Sequence, residues 1–136
     1  MLVLVTNRPA DLDAAVMDRM DDVVELAVPE SSQRASMLKL YLRKYLPRAA
    51  ELARGQAPAL AVEHKALTPE LWGKLVKATE GFSGRELAKL MAAVQAVVYG
   101  RDGPLVLTAE DLLAVVLQKQ REHENKGNGF GHTAAK

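Results

Sequence analysis

The chain has 136 residues, Lys+Arg 18 nearly cancelling Asp+Glu 17 for a formal net charge of +1, and 49% hydrophobic residues. That length suits one compact domain with a small appendage, and the hydrophobic fraction sets the chain among globular proteins and apart from disordered ones. The charge balance offers no global case for nucleic acid or an anionic membrane, and Cys 0 excludes a disulfide frame and thiolate chemistry.

The opening run Met1-Leu2-Val3-Leu4-Val5 is far shorter than the ~18 apolar residues of a bilayer span, and it lacks the basic flank of a signal peptide. Its continuous apolar character predicts a strand buried on both faces of a parallel sheet. Thr6-Asn7-Arg8-Pro9 follows as a polar turn, with Pro9 barring the strand from continuing. Asp11 or Asp13 is placed to cap a short helix through Ala14, Ala15, Val16 and Met17 that ends around Arg19-Met20. A second strand is predicted over Val23-Val24-Glu25-Leu26-Ala27-Val28, stopped by Pro29. Two strands cannot cover each other on both faces, so the pattern implies a fragment of a larger parallel sheet whose earlier strands are missing. The two strands would then expose faces built for burial, which predicts marginal stability and poor solubility for the isolated chain.

Ser31 or Ser32 can cap the next helix, whose Ala35, Leu38, Tyr41, Leu42 and Tyr45 keep helical spacing up to Leu46-Pro47. Residues 48–66, with Gly55 and Pro58, read as a loop. Thr68-Pro69 is a helix start, because threonine caps and proline fits the first turn; Leu71, Trp72, Leu75, Val76 and Thr79 form its inward stripe. Gly81 suits the left-handed close of that helix. Ser83-Gly84-Arg85-Glu86 then reads as a capping box opening a helix with Leu87, Leu90, Met91, Val94 and Val97 or Val98 inward. After the turn Arg101-Asp102-Gly103-Pro104, Thr108-Ala109-Glu110-Asp111 opens a last helix with Leu112, Leu113, Val116 and Leu117 expected inward. From Glu122 the chain is polar and Gly-rich, and is expected to fray. The layout is an α/β fragment: two strands of a parallel sheet and a short helix in residues 1–29, a mostly α four-helix unit in 30–121, and a flexible tail in 122–136.

Three stretches in this order resemble the second half of an AAA-family ATPase module. Val3-Leu4-Val5-Thr6-Asn7-Arg8-Pro9-Ala10-Asp11-Leu12-Asp13 resembles the family's "ATNRPxxLD" string. Asp18-Arg19-Met20-Asp21 resembles its "GRFDR" finger segment, and Gly81-Phe82-Ser83-Gly84-Arg85-Glu86-Leu87 its "GFSGADL" lid signature. The resemblance covers residues 1 to 120. Asp18-Arg19 and Ser83-Gly84-Arg85-Glu86 in particular are similar to a mitochondrial inner-membrane branch of the family. It implies that the two strands are the last of the AAA sheet and that the helices are the lid.

The resemblance also implies the site residues. Asn7 would be sensor 1, bonding the γ-phosphate or the attacking water with an amide that donates and accepts without adding charge. Arg19 would be an arginine finger reaching a neighbouring subunit's site, where such a group is worth ~10³–10⁵ in rate in phosphoryl-transfer enzymes. Asp22 stands where many relatives carry a second arginine. Arg85, at a helix start that attracts phosphate, would act like sensor 2, and Gly84 would allow adenine to approach. ATP and Mg²⁺ would be bound mainly by the missing N-terminal half, in a homo-oligomeric ring, a hexamer as is usual in the family. The parent would face the matrix at the mitochondrial inner membrane or nucleoid, touching the membrane only through that missing region and nucleic acid only indirectly. Its role would be nucleoid and membrane organisation.

The residues also admit other readings. Arg34, Lys39, Arg43, Lys44, Arg48 and Arg54 against Glu51 could form a nucleic-acid face, but few aromatics interleave them, and a solvated helix face fits better. Bland alternatives are a turn role for Asn7 and surface ion pairs for Arg19 and Arg85. His64, His123 and His132 have no metal-ligand spacing, and Trp72 reads as core. The chain contains no GxxxxGK[ST] loop and no apolar strand ending in paired acids, so it is expected not to hydrolyse ATP alone; no HExxH follows the lid. The rival from another class is a non-catalytic helical interaction module derived from an AAA lid.

Overall fold

A computed structural model describes residues 3–48, 61–65 and 67–129. Among them are one 3₁₀ turn, five α-helices and a two-stranded parallel sheet. Pro9–Asp11 forms the 3₁₀ turn, closed by the amides of Asp11 to Arg8 O and Leu12 to Pro9 O. α1 is the single turn Ala14–Met17, started by Asp13, whose Oδ1 accepts from the Ala15 amide at 2.7 Å.

The α/β character and the mostly helical lid stand, but the strands lie elsewhere than expected. Residues 3–6 and 23–28 pair with nothing among the described residues. Val3, Val5, Val24 and Leu26 are exposed at 67–91%. An apolar run becomes a two-face-buried strand only when neighbours supply both the ladder bonds and the cover, and no described segment does so here. The ladder that does form is β1 (Glu63–His64) with β2 (Val106–Leu107), in register Glu63↔Val106 and His64↔Leu107. The amides of Glu63 and Lys65 donate to Leu105 O and Leu107 O at 2.9 and 2.8 Å. β1 lies where a loop was expected.

α2 (Ser31–Tyr45) turns Arg34, Leu38 and Leu42 inward, and Leu46 closes it. Its N-cap is Glu30, not Ser31 or Ser32: the Glu30 amide donates to the Gln33 side chain at 2.9 Å. α3 (Pro69–Ala78) starts as read, with Thr68 Oγ1 accepting from the Leu71 amide. Gly81 then turns the chain at φ +76°, a conformation that costs a residue with Cβ about 1–2 kcal/mol.

α4 (Gly84–Tyr99) is the central helix, with Leu87, Leu90, Met91, Val94 and Val98 all buried. α2 and α5 pack against it, and α3 bridges α2 and α5. α5 (Ala109–Gly129) runs beyond the point where a polar tail was expected, so residues 122–129 are helical; residues 130–136 of that tail lie outside the described residues. Its start is tied by Asp111, which accepts from the Thr108 amide and pairs with Arg101. Leu112 and Val116 face the core as expected, but Leu117 is 51% exposed and Val115 is buried, because the helix turns that neighbouring position to the core instead. Leu38, Leu46, Leu75, Leu90, Leu107 and Leu112 meet fully buried in one core. Each such leucine contributes about 1.5–3 kcal/mol by leaving water.

Candidate functional site

The best-built part of the site is the start of α4. Ser83 Oγ accepts from the Glu86 amide at 3.3 Å, and Glu86 Oε2 accepts from the Ser83 amide at 2.9 Å, satisfying two donors at a helix end. Glu86 Oε1 also lies 3.0 Å from His123 Nδ1. Partial burial pushes the Glu86 carboxyl up, but the bonds from His123 and Ser83 outweigh it and hold the group at about 2. The box therefore carries its negative charge at any ordinary pH. The next two residues in space are the candidates themselves: Gly84 is the first residue of α4, and Arg85 projects exposed from the same turn.

Gly84 faces a cleft of about 610 Å³ walled by Ala27 and Pro29 from the segment before α2, by Ser32, Gln33, Ser36 and Met37 of α2, and by Gly84. A Cβ on Gly84 would stand 2.8 Å from Met37 Cε. The bare glycine thus lets α2 and α4 close on each other at the cleft floor. The cleft is shallow and opens widely to solvent. The walls supply apolar faces with a few hydroxyl and amide groups, which suits a flat heteroaromatic ring, and the exposed Arg85 beside it suits an anion.

Arg34 fixes one wall of the cleft. It belonged to the basic stretch in the sequence reading, yet it is 8% exposed. Its Nη1 donates to Pro29 O at 2.9 Å and its Nη2 to Val76 O at 3.3 Å, joining the segment before α2 to the end of α3. Its Nε has no partner among the described residues. The signal was present in the sequence: Arg34 occupies the same helical register as Leu38 and Leu42, so its stem had to run inward.

Asn7 and Arg19 lie away from this group. Asn7 is exposed in the bend before the 3₁₀ turn, and Arg19 is exposed after α1, its amide donating to Val16 O at 3.2 Å. Among the described residues, no hydrogen bond or ion pair joins either of them to Gly84 or Arg85. The site as seen here brings two of the four candidates together, and the other two stand on a separate, exposed segment.

His123 had no role in the sequence reading. It sits on the distal half of α5, stacked at 4.8 Å from the Phe82 ring, with its Nε2 close to Gly81. No periodic signal marks it, because the polar composition after Glu122 hides the helix that carries it. His64 is bound locally, its Nε2 2.8 Å from Leu46 O and its Nδ1 accepting from Arg48 Nε at 3.0 Å. Trp72 packs half-buried against the core, with Lys39 over its ring. Among the described residues no group of three or more His, Asp or Glu is placed to hold a metal, and no helix is long and apolar enough to cross a membrane.

No protein-family model and no solved structure matches the chain. Curated relatives do match it, along 93% of its length. ATPase family AAA domain-containing protein 3-A of Xenopus laevis is 35% identical over 127 residues, the ATPase family AAA domain-containing protein 3A homolog of Drosophila melanogaster 34% over 128, and ATPase family AAA domain-containing protein 3A of Homo sapiens 30% over 127. The chain spans about a fifth of the length of these proteins, matching their C-terminal part. The resemblance to the C-terminal part of an AAA-family ATPase module thus holds over nearly the whole chain.

Proposed function

With that likeness to AAA-family ATPases as the premise, we propose that the chain is the sensor, arginine-finger and lid portion of an AAA ATPase that couples ATP binding and hydrolysis to mitochondrial inner-membrane and nucleoid organisation. The observation that carries this reading is the open cleft at Gly84, the first residue of a helix whose start is held by the Ser83–Glu86 box and carries the exposed Arg85. In this reading the cleft receives the adenine of ATP, and Arg85 ties the lid to the phosphates. ATP brings the bond to be broken and Mg²⁺ screens its charge; both are held mainly by a part of the parent other than this chain. Asn7 orients the terminal phosphate or the attacking water, and Arg19 completes the site of the next protomer in a ring. The parent works on the matrix side of the mitochondrial inner membrane.

Arg19→Ala in the full parent tests the finger assignment: hydrolysis falls at least ~10³-fold, the low end for a finger, while ATP affinity changes little. Unchanged turnover removes the assignment. Gly84→Leu tests the cleft separately and is expected to weaken ATP binding, because the larger side chain fills the wall that adenine needs.

One observation favours a second reading. The four long helices share a core of their own, without help from residues 3–28, which is what a non-catalytic interaction module derived from an AAA lid requires. A parent transcript with no phosphate-loop sequence upstream of Met1 would select that reading.

A further inference from the structure

A single histidine grips both ends of the turn that carries Gly84 and Arg85. His123 stands on the distal half of α5, yet its ring lies 4.8 Å from the buried Phe82 ring and its Nδ1 3.0 Å from Glu86 Oε1. A Cβ on Gly81 would stand 3.3 Å from its Nε2. Gly81, Phe82 and Glu86 thus hold the ring between them, and Gly84 and Arg85 lie within the same stretch. The other carboxylate oxygen, Glu86 Oε2, accepts from the Ser83 amide and the Ser83 hydroxyl, both at 2.9 Å. The two oxygens therefore serve two different elements. A competitor for them is close: Lys89 is three residues further along α4, a spacing at which an acid and a base meet on a helix face. Lys89 is exposed and pairs with no acid among the described residues. On α5 itself, Lys119 is held by Glu122 at 2.8 Å and does not compete for Glu86.

We propose that His123 is a positioning residue for Arg85, an inference that rests on the reading in which Arg85 meets the phosphates of ATP. By occupying Glu86 Oε1, His123 keeps the carboxylate turned onto the Ser83 cap and away from Lys89. Without that hold the carboxylate swings towards Lys89, the Ser83 amide loses its acceptor, and the first turn of α4 frays. Arg85 belongs to that turn. A guanidinium on a frayed turn must be ordered when the phosphate arrives, and that ordering is subtracted from the affinity. The coupling is reciprocal: a phosphate at Arg85 favours the docked end of α5, and the docked end of α5 favours the phosphate. The far end of the last helix is thereby a handle on the nucleotide contact, although it touches no nucleotide itself.

The test is steady-state ATP hydrolysis by the full parent. His123→Ala is expected to raise KM for ATP at least about fivefold, the low end for coupled sites, with kcat little changed, because the contact is made equally in the ground and transition states. His123→Asn places an amide N–H near the position of Nδ1 without a ring, and restores KM. His123→Phe keeps the ring against Phe82 without a donor, and does not. A lid that is merely destabilised leaves less active enzyme, so kcat falls and KM stays; that result overturns the proposal, as does rescue by phenylalanine instead of asparagine. Arg85→Ala separates the two levels of the argument. If it raises KM and His123→Ala does not, His123 has no positioning role; if neither raises KM, Arg85 does not meet the nucleotide and the underlying reading falls with the proposal. Hydrogen exchange in the 136-residue chain gives a readout without nucleotide. The Glu86 and Leu87 amides, which donate to Ser83 Oγ and Ser83 O, should exchange faster in His123→Ala and His123→Phe, and at nearly the unaltered rate in His123→Asn. Equal rates throughout overturn the proposal.

Discussion

His123, near the end of the last helix, lies 3.0 Å from a carboxylate oxygen of Glu86, in the first turn of α4. The same carboxylate caps the Ser83 amide. One side chain therefore holds a helix start and anchors a second helix, which makes it the most informative position to alter.

Glu86→Ala removes both bonds and is expected to lower stability at neutral pH by about 1–2 kcal/mol, the range for a lost cap with a lost partner. The pH dependence follows from the direction of the shift. The folded carboxyl sits at about 2 and the ordinary value is 4.5, so its contribution is complete above about 4.5 and fades as pH falls towards 2. Thermal melts of the two proteins should differ most above that window and converge through it. A constant gap down to the acid end would refute the linkage.

Asp111 is 9% exposed and accepts from Thr108 and from Arg101, whose guanidinium remains half in solvent. Burial pushes its carboxyl up, but those bonds hold it below the ordinary value. Asp111→Ala should cost about 1–3 kcal/mol, since it orphans the Thr108 amide at the start of α5. Arg101→Ala should cost less at neutral pH, because the Thr108 bonds remain. Urea midpoints of the two variants check the order.

Leu90→Ala should destabilise by about 2–5 kcal/mol, because the cavity would open in the middle of α4, where Leu90 is 0% exposed. Leu40→Ala, on the outside of α2, should stay within about 0.5 kcal/mol. Chemical denaturation distinguishes them; equal effects would mean the core is assigned to the wrong face.

Arg34→Met keeps the stem volume and deletes the two carbonyl bonds. A loss of about 1–2 kcal/mol is expected, softened because the unpartnered Nε goes with them. Hydrogen exchange at the Arg34 amide, which donates to Glu30 O, should speed up more than in the middle of α4, since the tie to Pro29 is what holds the start of α2 in place.

Local chemistry carried most of what the sequence disclosed. Asp13, Thr68, Ser83 and Gly81 sit where they were read, because a cap or a left-handed turn is decided by a few adjacent atoms. The apolar stripes of α3 and α4 were legible for the same reason, with helical spacing naming the buried face. What escaped depended on distant neighbours. Val23 to Val28 has a strand's composition, but a strand exists only through pairing. β1 and β2 have two residues each, too few for any periodicity. Of the candidate site, Gly84 and Arg85 enter only through the resemblance to the lid signature. The cleft that Gly84 lines was not legible, because Pro29, Ser36 and Met37 come from other elements.

The amide of Val62 bonds the carbonyl of Pro47 at 2.8 Å, just ahead of β1. The two ends of the intervening stretch are therefore pinned together by the body of the protein itself. Closing such a stretch depends only weakly on its length, with each doubling adding about 0.6 kcal/mol. The Pro47–Val62 bond itself sets no limit on how many residues lie between its ends. Pro47 and Val62 thus act as a clasp, so that α2 and β1 stay joined at the base of whatever connects them.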